Sequence, residues 1–394
     1  MATFRTTSPA RSSKPSHQPR TTGRENGACP SNGAYLSSKT ACQTSSTTKS
    51  TPPPSVRPPT PQDNPYFEPP DPGVLPTYNG ATGALLKNVP LLRMYRVSRR
   101  KFRAHCATGI AVAYNKSLSH ITYPSPATVT ATFADGSTAT GTLLIGADGA
   151  QSGARTQLFG AERGRAASVP FRAVNLHVRY GDAAKAAFVR GLHPIMAMGI
   201  HPDGYWLWIS SEPVQDVPDP DDPATWTFQL QTTWRRGEEE EEVVSLAGLK
   251  KRAETFGEPF RSANLWIPEG TKVYENRLSY WEPVPWDNKG GRIVLAGDAA
   301  HPMTFQRGQG LNHGIADASK LTKCLKAAVT GETTWQAAID EYQAEMIDRA
   351  GDEVRTSLEN TYMLHDWSRM QDSPIMQRGG NPREKQESRQ GGSD

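Results

Sequence analysis

Nowhere in its 394 residues does the chain contain Gly-x-Gly-x-x-Gly. That turn, set between a strand and a helix, lets backbone N–H groups approach a dinucleotide pyrophosphate. A complete dinucleotide-binding βαβ unit is therefore not written in this sequence. The nearest approach, Gly80-Ala-Thr-Gly83, has the wrong spacing and no evident apolar strand before it. Acidic residues are missing before Glu25, and apolar ones are scarce before about residue 60. Such a segment cannot bury enough surface to offset its ordering entropy, so residues 1–60 are expected to be disordered. They hold no hydrophobic region of a secretory signal. No apolar run anywhere is long enough to span a bilayer. Cysteine is scarce too: Cys29, Cys42, Cys106 and Cys324 show no metal-ligand or redox spacing. They read as free thiols in a reducing compartment, and a cytoplasmic location is expected. The net charge of +4 is too small an excess to argue for nucleic acid. No catalytic triad, paired carboxylates or metal cluster is spelled out, and the isolated His301 suits a structural role better than ligation.

What is present centres on residues 292–326, RIVLAGDAAHPMTFQRGQGLNHGIADASKLTKCLK. Ile293 to Ala296 is a short apolar run of the kind that a buried parallel strand needs. Gly297 and Asp298 end it where open α/β sheets place their ligands. A glycine turn, Arg307-Gly308-Gln309-Gly310, leads into a helix with Leu311, Ile315, Ala318, Leu321 and Leu325 on one stripe. Lys320, Lys323 and Lys326 lie towards its far end, where the dipole is negative. The glycines leave first-turn N–H groups uncovered, so this N-terminus can face an anion.

A second turn comes earlier. Thr128 to Phe133 and Thr138 to Ile145 are β-rich runs around an Asp135-Gly136 hairpin signal. The latter ends in Gly146-Ala147-Asp148-Gly149-Ala150-Gln151-Ser152-Gly153-Ala154-Arg155. Gly146 and Gly149 permit close backbone approach, and Asp148 can bond backbone or cofactor groups. Loose alternation from Ile110 to Ile121 predicts a further strand. Between the two turns, Val174 to Tyr180, Ile195 to Ile200, Tyr205 to Ser210 and Trp226 to Trp234 read as strands. His201-Pro-Asp-Gly204 reads as a hairpin turn. Tyr205-Trp206-Leu207-Trp208-Ile209 departs from the W-x-W-x-I-P pattern of flavin-dependent halogenases, because Ser210 and Ser211 stand where Ile and Pro are required. Its tryptophans fit alternating strand positions with aromatics in the core. Glu238 to Glu242 suits a solvated turn, and Leu249 to Phe256 and Trp335 to Leu358 read as helices.

Taken together, GADGAQSGAR and GDAAHPMTFQRGQGLNHGIADA resemble the paired signatures of the single-component FAD-dependent aromatic monooxygenases, which include 4-hydroxybenzoate and salicylate hydroxylases. The likeness covers roughly residues 61–380. It implies that Asp298 bonds a ribityl hydroxyl of FAD, beside Gly297 and the Gly308 turn. Gly310, Leu311 and Asn312 would set backbone against the N1–C2=O edge of the flavin ring. Uncovered N–H groups on a helix dipole stabilise the charge that a reduced flavin carries there. The family's V-x-R-x-x-L pattern falls on Val97, Arg99 and Phe102, which makes Arg99, and beside it Arg103, candidates to reach the FAD. Asp148 joins them as a cofactor-side candidate. Phe305 stands where 4-hydroxybenzoate hydroxylase has proline, so phenol contacts do not carry over.

The resemblance further implies an α/β (α+β mixed) fold. This would be a partial FAD-binding Rossmann-like domain lacking its N-terminal βαβ unit, with an inserted, mostly antiparallel β-sheet substrate domain. The expected divisions are a disordered 1–60, a first FAD-binding part at 61–165, the substrate sheet at 166–285 and a second FAD-binding part at 286–330. C-terminal helices at 331–376 and a disordered tail at 377–394 complete the order. The implied partners are NAD(P)H as reductant, molecular oxygen and an aromatic or polyketide-like small molecule, hydroxylated through a flavin C4a-hydroperoxide. No catalytic side chain is assigned, because the flavin carries the chemistry while the protein binds, orients and excludes water. Two alternatives stay open: an N-terminally truncated remnant that binds FAD weakly, and an FAD-dependent reductase without oxygenation. Deleting residues 1–60 is expected to leave the melting temperature nearly unchanged. A drop of many degrees in calorimetry would show that the segment is structural.

Overall fold

The structure, a computed structural model, describes residues 73–91, 96–212, 216–237 and 244–379, and the backbone of a short strand at Ala34–Tyr35. The apolar run before Gly297 forms a strand, Ile293–Leu295, whose three residues are all fully buried. It pairs in parallel with Leu144–Gly146, Ile293 opposite Leu144 and Leu295 opposite Gly146. This register brings the carboxyl ends of both strands, and so both glycine-bearing turns, side by side. Gly146 is required by that closeness. A Cβ there would come within 2.6 Å of the Ala154 Cβ and 2.7 Å of the Leu295 Cδ2.

Two helices cover these strands. Gly310–Val329 contributes Leu321 and Cys324, and the long helix Trp335–Leu364 contributes Ala338, Ile339, Tyr342, Met346 and Ala350 to one core cluster. The Tyr342 hydroxyl donates to the Leu295 carbonyl at 2.8 Å. The long helix runs six residues beyond its expected end at Leu358, because Met363 and Leu364 still find apolar neighbours. On the other side lies a three-stranded antiparallel sheet, Leu118–Ser125, Thr128–Phe133 and Thr138–Gly141. The Asp135-Gly136 hairpin turn forms as its sequence implies, with Gly136 at φ 80°. The strand expected from Ile110 instead begins at Leu118. Ile110 and Tyr114 are exposed and Asn115 is left-handed, and the ladder is joined only at Ser117, whose carbonyl accepts from the Ala134 N–H at 2.8 Å.

The larger sheet has seven strands in the order Tyr274–Tyr280, Ala167–Arg179, Thr227–Arg235, Tyr205–Ser211, Met196–Ile200, Val74–Asn79 and Leu85–Pro90. All neighbours are antiparallel except Met196–Ile200 with Val74–Asn79. His201 to Gly204 makes the expected hairpin turn, with the Gly204 N–H on the His201 carbonyl at 3.0 Å. One face is apolar. Val174, Leu176, Val178, Leu207, Ile209, Phe228 and Leu230 pack there against Ala186, Val189, Leu249 and Phe260 of three short helices.

The first two strands correct the reading of Gly80 to Gly83. A strand does precede it, masked in the sequence by Pro76 and Thr77, and the glycines turn a hairpin within this sheet. The segment 61–165 therefore gives two strands to the sheet expected from 166–285. Gly83 is left-handed at φ 74°, and a Cβ there would stand 2.2 Å from the Glu258 carbonyl oxygen.

Several expectations lie outside the described residues: the state of 1–60 apart from Ala34–Tyr35, the Glu238–Glu242 turn, Cys29 and Cys42, and the tail from 380 onward. Ala34–Tyr35 pairs antiparallel with Arg96–Val97. Among the described residues no helix is long and apolar enough to cross a membrane. Gly83→Ala is expected to destabilise the fold by about 2 kcal/mol or more, from the positive φ and the carbonyl contact together. Chemical denaturation with an unchanged midpoint would refute this packing.

Candidate active site

From Ala296 the chain enters a tight turn, Gly297–Ala299, with Gly297 left-handed at φ 59°. What holds this turn is a buried carboxylate that the apolar stripe conceals. Asp317 accepts from the Gly297 N–H at 2.7 Å, from the His301 Nε2–H at 2.6 Å and from the Arg349 Nη2–H at 2.7 Å. Asp317 and His301 are both fully buried. Burial pulls the Asp317 carboxyl upward, but its bonds from His301, Arg349 and Gly297 outweigh that, and its pKa lies below the ordinary value. Arg349 also donates to Glu345 at 2.7 Å and approaches His313 Nδ1 at 3.0 Å. Burial first, then the Arg349 charge, pushes His313 down to about 3, so the ring is a neutral acceptor.

Arg155 fixes the turn from the opposite side. Its guanidinium is buried and donates to the carbonyls of Asp298 at 3.3 Å, Ala299 at 2.9 Å, Gly164 at 2.7 Å and Ala150 at 2.5 Å. It lies over the Trp281 ring, 5.2 Å from the centroid. The two glycine-bearing turns are thus joined by one side chain. Asp148, the acidic residue of the first, is turned to backbone work. It accepts from the Ser152 hydroxyl and from the Ala154 N–H at 3.0 Å, at the start of helix Gly153–Arg163.

The Asp298 side chain is exposed, and its Oδ1 lies 3.9 Å from where a Cβ on Gly310 would stand. The carboxylate therefore sits at the mouth of the Gly310–Val329 helix. Gln309 precedes that helix without a side-chain cap; it bonds the Arg307 carbonyl and accepts from the Asn312 amide instead. Gly308 supplies the positive φ, 67°, that turns the chain inward. Asn312 Oδ1 is buried and has no partner. Arg307 is buried against Glu353 at 2.7 Å, which ties the turn to the long helix.

The structure thus assembles Gly297, Asp298, Gly308, Gly310, Leu311 and Asn312 at one place. Arg99 and Arg103 are exposed on helix Arg99–Cys106. The expected helical stripe needs one correction: Ala318 is exposed, and Asp317, Leu321 and Cys324 face inward. A charge at buried spacing, four residues before Leu321, was the available sign of Asp317. Arg155 ends the first signature, yet an arginine after a helix start gives no hint of burial.

A backbone N-terminus without a side-chain cap, a carboxylate at its mouth and an unpartnered amide oxygen fit a flavin ring and its ribityl chain. Residues 116–357 match the family model described as FAD binding domain. The chain belongs to the FAD-dependent monooxygenases. It is 42% identical over 316 residues to the FAD-dependent monooxygenase phnB of Penicillium herquei, covering 79% of this chain and 76% of phnB. It is 40% identical over 316 residues to cctM of Talaromyces islandicus, covering 78% and 76%. Among solved structures, HpxO of Klebsiella pneumoniae, complexed with FAD and uric acid, superposes with a TM-score of 0.62. That likeness has 20% identity and covers 78% of this chain and 76% of HpxO.

In this monooxygenase, Asp317→Ala would leave Arg349 and His301 without their carboxylate, and a loss of about 3–5 kcal/mol is expected. Urea unfolding reads it; a loss under about 1 kcal/mol would show that the network is dispensable. Acid acts through buried imidazoles. Burial holds His313 down to about 3, and His193 and His365 down to about 4, with Arg349 and Arg190 adding to the effect at His313 and His193. The unfolded chain takes up these protons first, near pH 6.5, so stability falls as pH drops from about 6.5 towards 4. Thermal melts across that window should show the decline, and His365→Gln should flatten it.

Proposed function

We propose that this monooxygenase hydroxylates an aromatic or polyketide-like small molecule, with NAD(P)H as the reductant. The net reaction joins substrate C–H, O2, NAD(P)H and a proton to give substrate C–OH, NAD(P)+ and water. The observation that carries this reading is the Asp298 carboxylate at the uncapped N-terminus of the Gly310–Val329 helix. Bound there, FAD would supply the redox and oxygen-transfer chemistry. Asp298 would accept from a ribityl hydroxyl, with Gly297 and Gly308 shaping the turn. The first-turn backbone at Gly310, Leu311 and Asn312 would meet the flavin's N1–C2=O edge, and its dipole would favour negative charge there. Asp148 would act at one remove, by fixing the neighbouring turn. Arg99 and Arg103, on their exposed helix, would lend positive charge towards the FAD.

We further propose that the seven-stranded sheet is the substrate layer, with FAD bound by the segments around the two glycine-bearing turns. Phe305, in the chain between Asp298 and Gly310, packs edge-on against Trp206 of the sheet at 5.6 Å. The face carrying Trp206 is thereby the one turned to the flavin site. Relatives named as monooxygenases do not favour the alternatives of a reductase or a remnant.

Asp298→Ala removes a charge-assisted hydrogen bond worth about 1.5–3 kcal/mol. FAD affinity is expected to fall about ten- to a hundredfold. A flavin fluorescence titration with unchanged affinity would mean that the motif serves only the fold.

A further inference from the structure

The start of the helix Gly310–Val329 is open to a ligand. Gly308 to His313 are all half-buried, and Asp298 beside them is exposed. The first helical N–H to find a carbonyl is that of His313, on Gln309 at 3.0 Å. One guanidinium, that of Arg349, stands behind this mouth. Its Nη2–H donates to Asp317 Oδ1 at 2.7 Å, and the other oxygen of that carboxylate accepts from the Gly297 N–H. A single carboxylate therefore separates Arg349 from the turn that carries Asp298. Its Nη1–H donates to His313 Nδ1 at 3.0 Å, and His313 follows Asn312 in the first turn of the helix. Arg349 is thus tied to both halves of the site, the turn and the helix start.

Two carboxylates share that one cation. Glu345, one turn earlier in the long helix, accepts from Arg349 Nε–H at 2.7 Å and from Nη2–H at 3.2 Å. Among the described residues the Glu345 carboxylate makes no other hydrogen bond. Burial works against the Arg349 charge, but the bonds to Glu345 and then to Asp317 outweigh it, so its pKa lies above the ordinary value. The His313 ring is neutral, and Arg307 is matched by Glu353. Arg349, Asp317 and Glu345 together therefore carry an excess of negative charge. Asp317 has a mechanical duty, because it holds Gly297 and His301. Glu345 has none of that kind: the turn, the buried ring and His313 all keep their partners without it. What it adds to the site is charge. Its side chain is 35% exposed and that of Arg349 24%, so solvent weakens this charge without abolishing its field.

Resting on the monooxygenase reading above, we infer that Glu345 holds down the reduction potential of the bound flavin by offsetting the charge of Arg349. Reduction places negative charge at the N1–C2=O edge, which in that reading meets the backbone of Gly310, Leu311 and Asn312. The helix dipole and the Arg349 cation both favour that charge. Glu345 opposes them. The two electrons come from NAD(P)H, and Glu345 exchanges neither electron nor proton. Its action is a field, felt more by the reduced cofactor than by the neutral oxidised ring. A flavin held at lower potential is the stronger electron donor to oxygen once it has been reduced. Because the pair is part-exposed, the effect is a few-fold one rather than a switch.

The experiment is a spectroelectrochemical titration of the FAD-loaded protein. Glu345→Gln keeps an acceptor for Arg349 but removes the charge. It should favour reduced over oxidised flavin by about threefold or more, a rise in midpoint potential of about 14 mV at about 30 mV per tenfold for two electrons. Glu345→Ala removes the same charge without an amide and should shift the potential in the same direction. Glu345→Asp retains the charge and should keep the wild-type potential. Raising the salt to about 1 M should shrink the difference between Glu345→Gln and wild type, since a field is screened and a packing change is not. A merely structural role would weaken oxidised and reduced FAD alike and leave the potential unmoved. An unchanged or lower potential in Glu345→Gln and Glu345→Ala, or an equal rise in Glu345→Asp, overturns the inference. Flavin absorbance per chain separates the two proposals. A protein that takes up no FAD overturns the monooxygenase reading, whereas a flavin-loaded protein with an unshifted potential overturns the role of Glu345 alone.

Discussion

The arrangement depends on one buried carboxylate. Asp317 gathers the Gly297 N–H, the His301 ring and the Arg349 guanidinium around two oxygens, deep under the turn that carries Asp298. A charge in that position costs several kcal/mol to desolvate unless every lone pair is satisfied. Three donors from three different parts of the chain meet that requirement. The turn is therefore locked by the long helix through Arg349 and by its own helix through Asp317. Arg155 adds a second lock from the other glycine-bearing turn. The exposed Asp298 side chain cannot position itself, so the turn that carries it needs such support behind it.

How much of this the sequence disclosed follows from periodicity and turn chemistry. The central strand, the helix start at Gly310, the Asp135-Gly136 and His201–Gly204 hairpins and the four strands of the middle region were legible, because each has a local signal. So was the belonging of the chain to its family, through two short signatures in order. The strands at 74–90 were not. Pro76, Thr77 and Asn88 blur their alternation, and their pairing with Met196–Ile200 is a long-range fact. The Asp317 network was hidden for a related reason. The spacing of Asp317 from Leu321 hints at burial, but nothing local points to three donors brought from 16, 20 and 32 residues away. Arg155 and Arg96 are both buried, and an arginine gives no local sign of that in a sequence.

The seven-stranded sheet divides its labour by face. Its helix-covered side is apolar and supplies packing, while the side towards Phe305 carries Asn175, Gln229, Gln231, Ser210 and His177. A strand residue's face is set by its parity alone, so a one-residue slip in register would exchange these roles across the whole layer. The aromatic stack of Trp206 on Trp208, 5.6 Å apart, guards against that slip by anchoring their strand in the core.

The pairing of Met196–Ile200 with Val74–Asn79 also decides when the cofactor turn can be built. A strand from the start of the described chain must wait for one more than a hundred residues later, and that loop must close before its contacts are gained. The strand Tyr274–Tyr280 then completes the other edge of the same sheet, only thirteen residues before Ile293. On a ribosome the strand Ile293–Leu295 and the turn carrying Asp298 emerge after every strand of a sheet that can already have formed. The order of synthesis thus places the sheet ahead of the turn that faces it.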